Sequence, residues 1–86
     1  MKIKDGYILR QIAGEYVVIP SGNDLDLNMM ITLNETGSFL WEKLTAGAQE
    51  AELVQALLEE YEVDRQTAEN AVSGFLRKLR EQDLLA

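Results

Sequence analysis

Two periodicities divide this chain. Up to Leu33 its apolar residues cluster in short runs rich in aromatic and β-branched side chains; beyond Asn34 they recur every three or four positions. The first kind of run predicts strands and the second amphipathic helices. Tyr7-Ile8-Leu9-Arg10-Gln11-Ile12 and Glu15-Tyr16-Val17-Val18-Ile19-Pro20 read as two strands, separated only by Ala13-Gly14, which signals a tight hairpin. Pro20 cannot donate a ladder hydrogen bond and suits the end of the second strand. The turn formers Ser21-Gly22-Asn23-Asp24 follow, and residues 25–33 predict a third strand. Within it Met29, Ile31 and Leu33 share one face, with Met30 and Thr32 on the other.

At Asn34 the period changes. Asn34 offers an N-cap oxygen, and Glu35 places negative charge in the first turn, where the helix dipole favours it. Leu40, Trp41 and Leu44, with Phe39 at the margin, form the first helical stripe. Thr45-Ala46-Gly47-Ala48 reads as its C-cap and a short connection, with Gly47 able to take positive φ. Leu53, Leu57 and Leu58, flanked by Val54 and Tyr61, predict a second helix over residues 49–61 with an acidic outer face. Gln49 is a weak cap for it. Asp64 is a good N-cap for a third helix running to Gln82, with Ala68, Ala71, Val72, Phe75, Leu76 and Leu79 inward. Phe75 and Leu79 lie in mid-stripe, Val72 and Leu76 at its edge. Gly74 interrupts this helix at a cost of about 1 kcal/mol relative to Ala. The apolar ending Leu84-Leu85-Ala86 is expected to return to the core. Three strands followed by three helices predict one α+β domain over residues 1–86, its helices covering one sheet face and a strand edge left available.

Composition narrows the chemistry. The chain has 86 residues, 47% of them hydrophobic, enough for one modest core, and neither Cys nor His. That removes disulfides, thiolate nucleophiles, zinc fingers and the usual proton-transfer side chain. Ser21, Ser38 and Ser73 have no histidine to activate them. The acidic pairs Asp24/Asp26 and Glu50/Glu52 and the run Glu59-Glu60-Glu62-Asp64 lack the glycine and glutamate positions of a calcium loop, and read as solvated surface. The glycines are scattered singly, so there is no phosphate-binding loop. No catalytic, metal or cofactor site is expected. The net charge of −7, from 8 basic and 15 acidic residues, weighs against nucleic acid as a partner. No apolar run approaches a membrane span, and Met1-Lys2-Ile3-Lys4-Asp5-Gly6 does not open a secretory signal; a cytoplasmic setting is expected.

The run Ile31-Thr32-Leu33-Asn34-Glu35-Thr36-Gly37-Ser38-Phe39-Leu40-Trp41-Glu42-Lys43-Leu44 resembles the PqqD-like family, small domains that recognise ribosomally made, post-translationally modified peptides. The stretch Leu53-Val54-Gln55-Ala56-Leu57-Leu58-Glu59-Glu60-Tyr61-Glu62-Val63-Asp64 and the ending from Phe75 to Leu85 match as well. Gln49 departs from the pattern, since relatives often place Thr or Ser there. The resemblance implies a winged helix-turn-helix-like fold whose partner is the leader of a precursor peptide. The leader would be added as a strand to the third strand and presented to a modifying enzyme such as a radical-SAM protein. On this chain the edge would be Asn28, Met29, Met30, Ile31 and Thr32. The opposing wall would be Val72, Phe75, Leu76 and Leu79, with Arg77, Lys78 and Arg80 near its end; Val72 and Leu76, at the stripe's edge, are the residues expected to face the groove. Exposed main-chain groups supply affinity in such a mode and side-chain pockets supply selectivity. The same wall carries the rival reading, a small winged-helix DNA-binding regulator whose third helix enters a groove through Arg77, Lys78 and Arg80. A third reading pairs the edge with itself, making a homodimer in place of a monomer.

Overall fold

The computed structural model describes residues 1–20 and 31–86. The elements are β1 (Tyr7–Ile12), β2 (Glu15–Pro20), β3 (Ile31–Leu33), α1 (Glu35–Thr45), α2 (Glu50–Glu60) and α3 (Arg65–Glu81). The three strands form one antiparallel sheet in the order β1-β2-β3, and the helices follow it, so the fold is α+β. Of the strand expected over residues 25–33, Ile31–Leu33 is described. Asn28, Met29, Met30 and the turn at residues 21–24 lie outside the described residues.

The hairpin fixes the hydrogen-bonding parity of the whole sheet. Ala13 and Gly14 both have positive φ, 53° and 84°, the combination a two-residue type I′ turn requires. In such a hairpin the flanking pair, Ile12 with Glu15, exchanges both ladder bonds. Alternation then makes Arg10–Val17 and Ile8–Ile19 the other bonded pairs of β1 and β2. Tyr16 and Val18 must therefore turn their backbone groups the other way, toward β3, where their partners are Leu33 and Ile31. Thr32, opposite Val17, is left with its N–H and C=O pointing off the outer edge of the sheet.

Side chains follow the same alternation. Val18, Ile31 and Leu33 face the helices and join Leu40, Trp41, Leu44, Leu53, Leu57, Leu76 and Leu79 in the core. Val17, on the other sheet face, is also buried but stands outside that cluster. Asn34 holds the strand-to-helix junction: its backbone is extended, and its Oδ1 accepts from Gly37 N–H at 2.7 Å. Gln49, expected to start α2 weakly, is supported by Glu52, whose carboxylate accepts from the Gln49 N–H at 2.9 Å. That is half of a capping box, formed without Ser or Thr. Asp64 caps α3 through Thr67 N–H at 2.7 Å.

The end of α3 reverses in a Schellman motif. Leu84 N–H reaches Leu79 C=O at 2.9 Å and Asp83 N–H reaches Arg80 C=O at 3.1 Å, with Asp83 at φ 58° where glycine is usual. This turn sends Leu84 into the core as expected. Ile3 then bridges Leu85, and Lys4 N–H donates to Leu84 C=O at 2.8 Å, so the first and last described segments close on each other.

Candidate functional site

The outer edge of β3 lies beside α3, and the two are joined by one side-chain bond. Lys78 Nζ donates to the Thr32 carbonyl at 2.9 Å. That carbonyl is the ladder acceptor which the parity of the hairpin leaves pointing outward. Among the described residues no strand pairs with this edge. A lysine placed over an edge acceptor blunts unwanted pairing, but the bond is solvent-exposed and exchangeable.

Next to this edge, where β3 passes into α1, a cleft of about 350 Å³ opens between the first turn of α1 and α3. Leu33, Leu40, Ala71 and Phe75 give it apolar surface; Asn34, Thr36, Asn70 and Lys78 supply polar groups; Gly37 and Gly74 leave backbone open. The volume sits at the low end of the ~300–1,000 Å³ typical of ligand pockets. Its composition, apolar with a few polar groups, suits a side chain or short segment of an extended chain. Among the described residues no group of three His, Cys, Asp or Glu side chains gathers to hold a metal, and no helix is long and apolar enough to cross a membrane.

The residues expected for the site divide sharply. Thr32 is exposed at the edge and Lys78 reaches it. Ile31 points into the core at 8% exposure. Phe75 also keeps 8% and lines the cleft. Val72 and Leu76, expected at the stripe's edge and facing the groove, are completely buried, as is Leu79. The correction has a simple cause. α3 packs against α2 as well as α1, so its apolar stripe is covered from both sides. The surface toward the cleft is the next strip around the helix, Asn70, Ala71, Gly74, Phe75 and Lys78, whose spacing of three and four is helical. Arg77 and Arg80 are exposed, and Arg80 reaches Met1 Sδ at 3.8 Å rather than the cleft. Of residues 70, 71 and 74 only Gly74 carried a sequence signal, a glycine inside a helix; Ala71 reads as part of the inward stripe and is only partly buried, and Asn70 gave none.

These features define a small α+β domain with a strand edge that no described strand pairs, set beside a helix-lined cleft. A family model described as "Coenzyme PQQ synthesis protein D (PqqD)" matches residues 15–85, and the chain belongs to the PqqD family. No curated protein matches the chain. Among solved structures it is similar to "TbiB1 in Complex with the TbiA(beta) Leader Peptide", with 34% identity, a TM-score of 0.77, and 99% of this chain and 94% of that one covered. It is also similar in fold to "Lasso peptide synthetase B1 complexed with the leader peptide", with 23% identity, a TM-score of 0.73, and 96% and 93% covered.

Proposed function

We propose that this protein is a non-catalytic recognition domain that takes the leader of a ribosomally made precursor peptide as an extra strand on the outer edge of β3. It then presents the rest of the precursor to a modifying enzyme. The observation that carries the reading is Thr32, whose two backbone ladder groups point away from β2 beside a cleft lined by α1 and α3. An extended peptide satisfies both groups and places alternate side chains toward the helix. Membership of the PqqD family, and a 34% identical relative solved with a leader peptide, support the same reading.

The residues proposed to meet the peptide are Thr32, Phe75 and Lys78. Arg77 and Arg80 provide exposed positive charge in the same part of α3. Ile31, Val72, Leu76 and Leu79 support the groove from the core. The edge residues Asn28, Met29 and Met30 belong to the same proposal. A leader strand displaces Lys78 from the Thr32 carbonyl, which leaves an ammonium free for an acidic or carbonyl group of the peptide.

An amide-resolved NMR titration of labelled protein tests this, using the TbiA(beta) leader peptide and leaders encoded beside this protein's gene. Shifts gathered on Ile31–Leu33 and residues 70–78 are the expected result. Shifts confined to α2, or a salt-sensitive response to duplex DNA with none to peptide, overturn it. The radical-SAM partner implied by the sequence resemblance is tested separately, by co-purification with and without the leader.

A further inference from the structure

Among the described residues two glycines line the cleft, and only Gly37 is crowded by its neighbours. A Cβ on Gly37 would sit 3.1 Å from Asn34 Oδ1 and 3.3 Å from Leu33 Cβ, so any side chain there crowds the N-cap of α1. Among the described residues, a Cβ on Gly74 would meet no atom within 4 Å. Gly74 lies well inside α3 and is not among the glycines with positive φ, so its backbone asks for no special freedom. It therefore weakens the helix without serving backbone conformation or packing against the described residues.

What Gly74 does serve is the shape of the cleft. It stands between Ala71 and Lys78 on the strip of α3 that forms one wall, opposite Leu33, Gly37 and Leu40. Lys78, one turn on, marks the level of the Thr32 carbonyl. A strand bonded to Thr32 points its neighbouring residues toward the helix side of the sheet, the side on which Ile31 and Leu33 also lie.

We propose that Gly74 is the point where a bound leader strand presses against α3, and that its missing side chain sets how large an apolar side chain the cleft admits. The inference rests on the leader-binding reading above and adds to it a residue that determines specificity. The occupant is an extended peptide with a bulky apolar residue next to the one bonded to Thr32. Leu33, Leu40 and Phe75 make the surface that residue meets.

The test uses random peptides displayed on phage, selected on the wild-type chain and then measured on Gly74→Ala and Gly74→Leu. Thermal melting is followed on the same samples. Both variants should melt at or above the wild-type temperature, because the added side chain starts in open space on a helix. The peptides selected on wild type should lose affinity by about tenfold for Ala and more for Leu. A parallel selection on Gly74→Leu should return peptides with a smaller residue at the helix-facing position. Stability and binding moving in opposite directions is the signature that a merely structural glycine cannot produce. Equal affinity of wild type and both variants for the selected peptides overturns the role of Gly74 and leaves leader binding standing. A library that yields no binder to wild type removes leader binding itself, and this role with it.

Discussion

At the scale of single residues, the two cleft glycines make opposite demands. Gly37→Ala gains about 1 kcal/mol of helix propensity but drives a methyl against Leu33 Cβ and the capping oxygen of Asn34. Leu33 is fixed in β3 and buried, so Asn34 is the group that gives way. Losing that cap costs about 1 kcal/mol and overpacking about 1–3 more, and the net expected effect is a loss of roughly 1–3 kcal/mol in urea unfolding. A stabilised Gly37→Ala would mean that the junction is looser than its distances indicate. Asp64 offers a second test through pH. Hydrogen bonds from Thr67, first its side chain and then its backbone N–H, hold the Asp64 carboxyl below the ordinary carboxylate range. A depressed folded-state pKa contributes stability above the unfolded pKa, and that contribution disappears as pH falls through the folded value. Fraying at Arg65–Thr67, read by amide exchange, should therefore appear on acidification below about pH 4. Asp64→Asn should remove that pH response while leaving the rest of α3 in place.

At the scale of elements, the outward direction of Thr32 predicts an unusual tolerance. Thr32→Pro deletes an N–H that makes no bond to β2, so the β2–β3 pairing survives and the chain remains folded. The same change removes a ladder donor from the outer edge and puts a ring where a peptide would lie. A folded variant by circular dichroism, with leader binding lost in the NMR titration, is the expected pair of results. Retained binding would place the peptide on another edge. This parity was not legible from strand-forming residues alone. It required knowing that Ala13 and Gly14 both adopt positive φ, from which Thr32 follows two strands away. The helices were more legible, because Asn34 and Asp64 are strong local caps and the three-and-four stripes run without interruption. Gln49 was underestimated because its support comes from Glu52, one turn later. The misplacement of Val72 and Leu76 has a different origin. A stripe pattern says which side of a helix is apolar, whereas its exposed margin depends on how many neighbours pack against it. With α1 and α2 both against α3, the margin moved on to Ala71 and Gly74.

For the molecule as a whole, the question is what keeps so small a domain closed while no described strand pairs with the outer edge of β3. A domain of this size has a net stability of only about 5–15 kcal/mol, so each closure counts. The two described chain ends meet through Ile3 and Leu85, through backbone bonds between Lys4 and Leu84 and between Ala86 and Lys2, and through the Lys4–Asp83 ion pair at 2.8 Å. These contributions differ in kind. Asp83 is 86% exposed in that pair, so water and salt screen the attraction and its net value is about 0–1 kcal/mol. Leu84 is 1% exposed and packs among the residues that bury Trp41, so truncating it leaves a cavity costing about 2–5 kcal/mol. Urea unfolding read by the fluorescence of Trp41, the only tryptophan and itself 2% exposed, separates the two. Leu84→Ala should lower the midpoint strongly, and Lys4→Ala should shift it little at physiological salt. Equal shifts would mean that the ion pair, and not the buried leucine, closes the ends. If Leu84 dominates, the clasp is apolar and insensitive to salt, whereas the Lys78–Thr32 contact at the outer edge is polar and exchangeable. Lys78→Met should then lower the urea midpoint far less than Leu84→Ala while freeing the Thr32 carbonyl, so the edge can be opened without opening the fold.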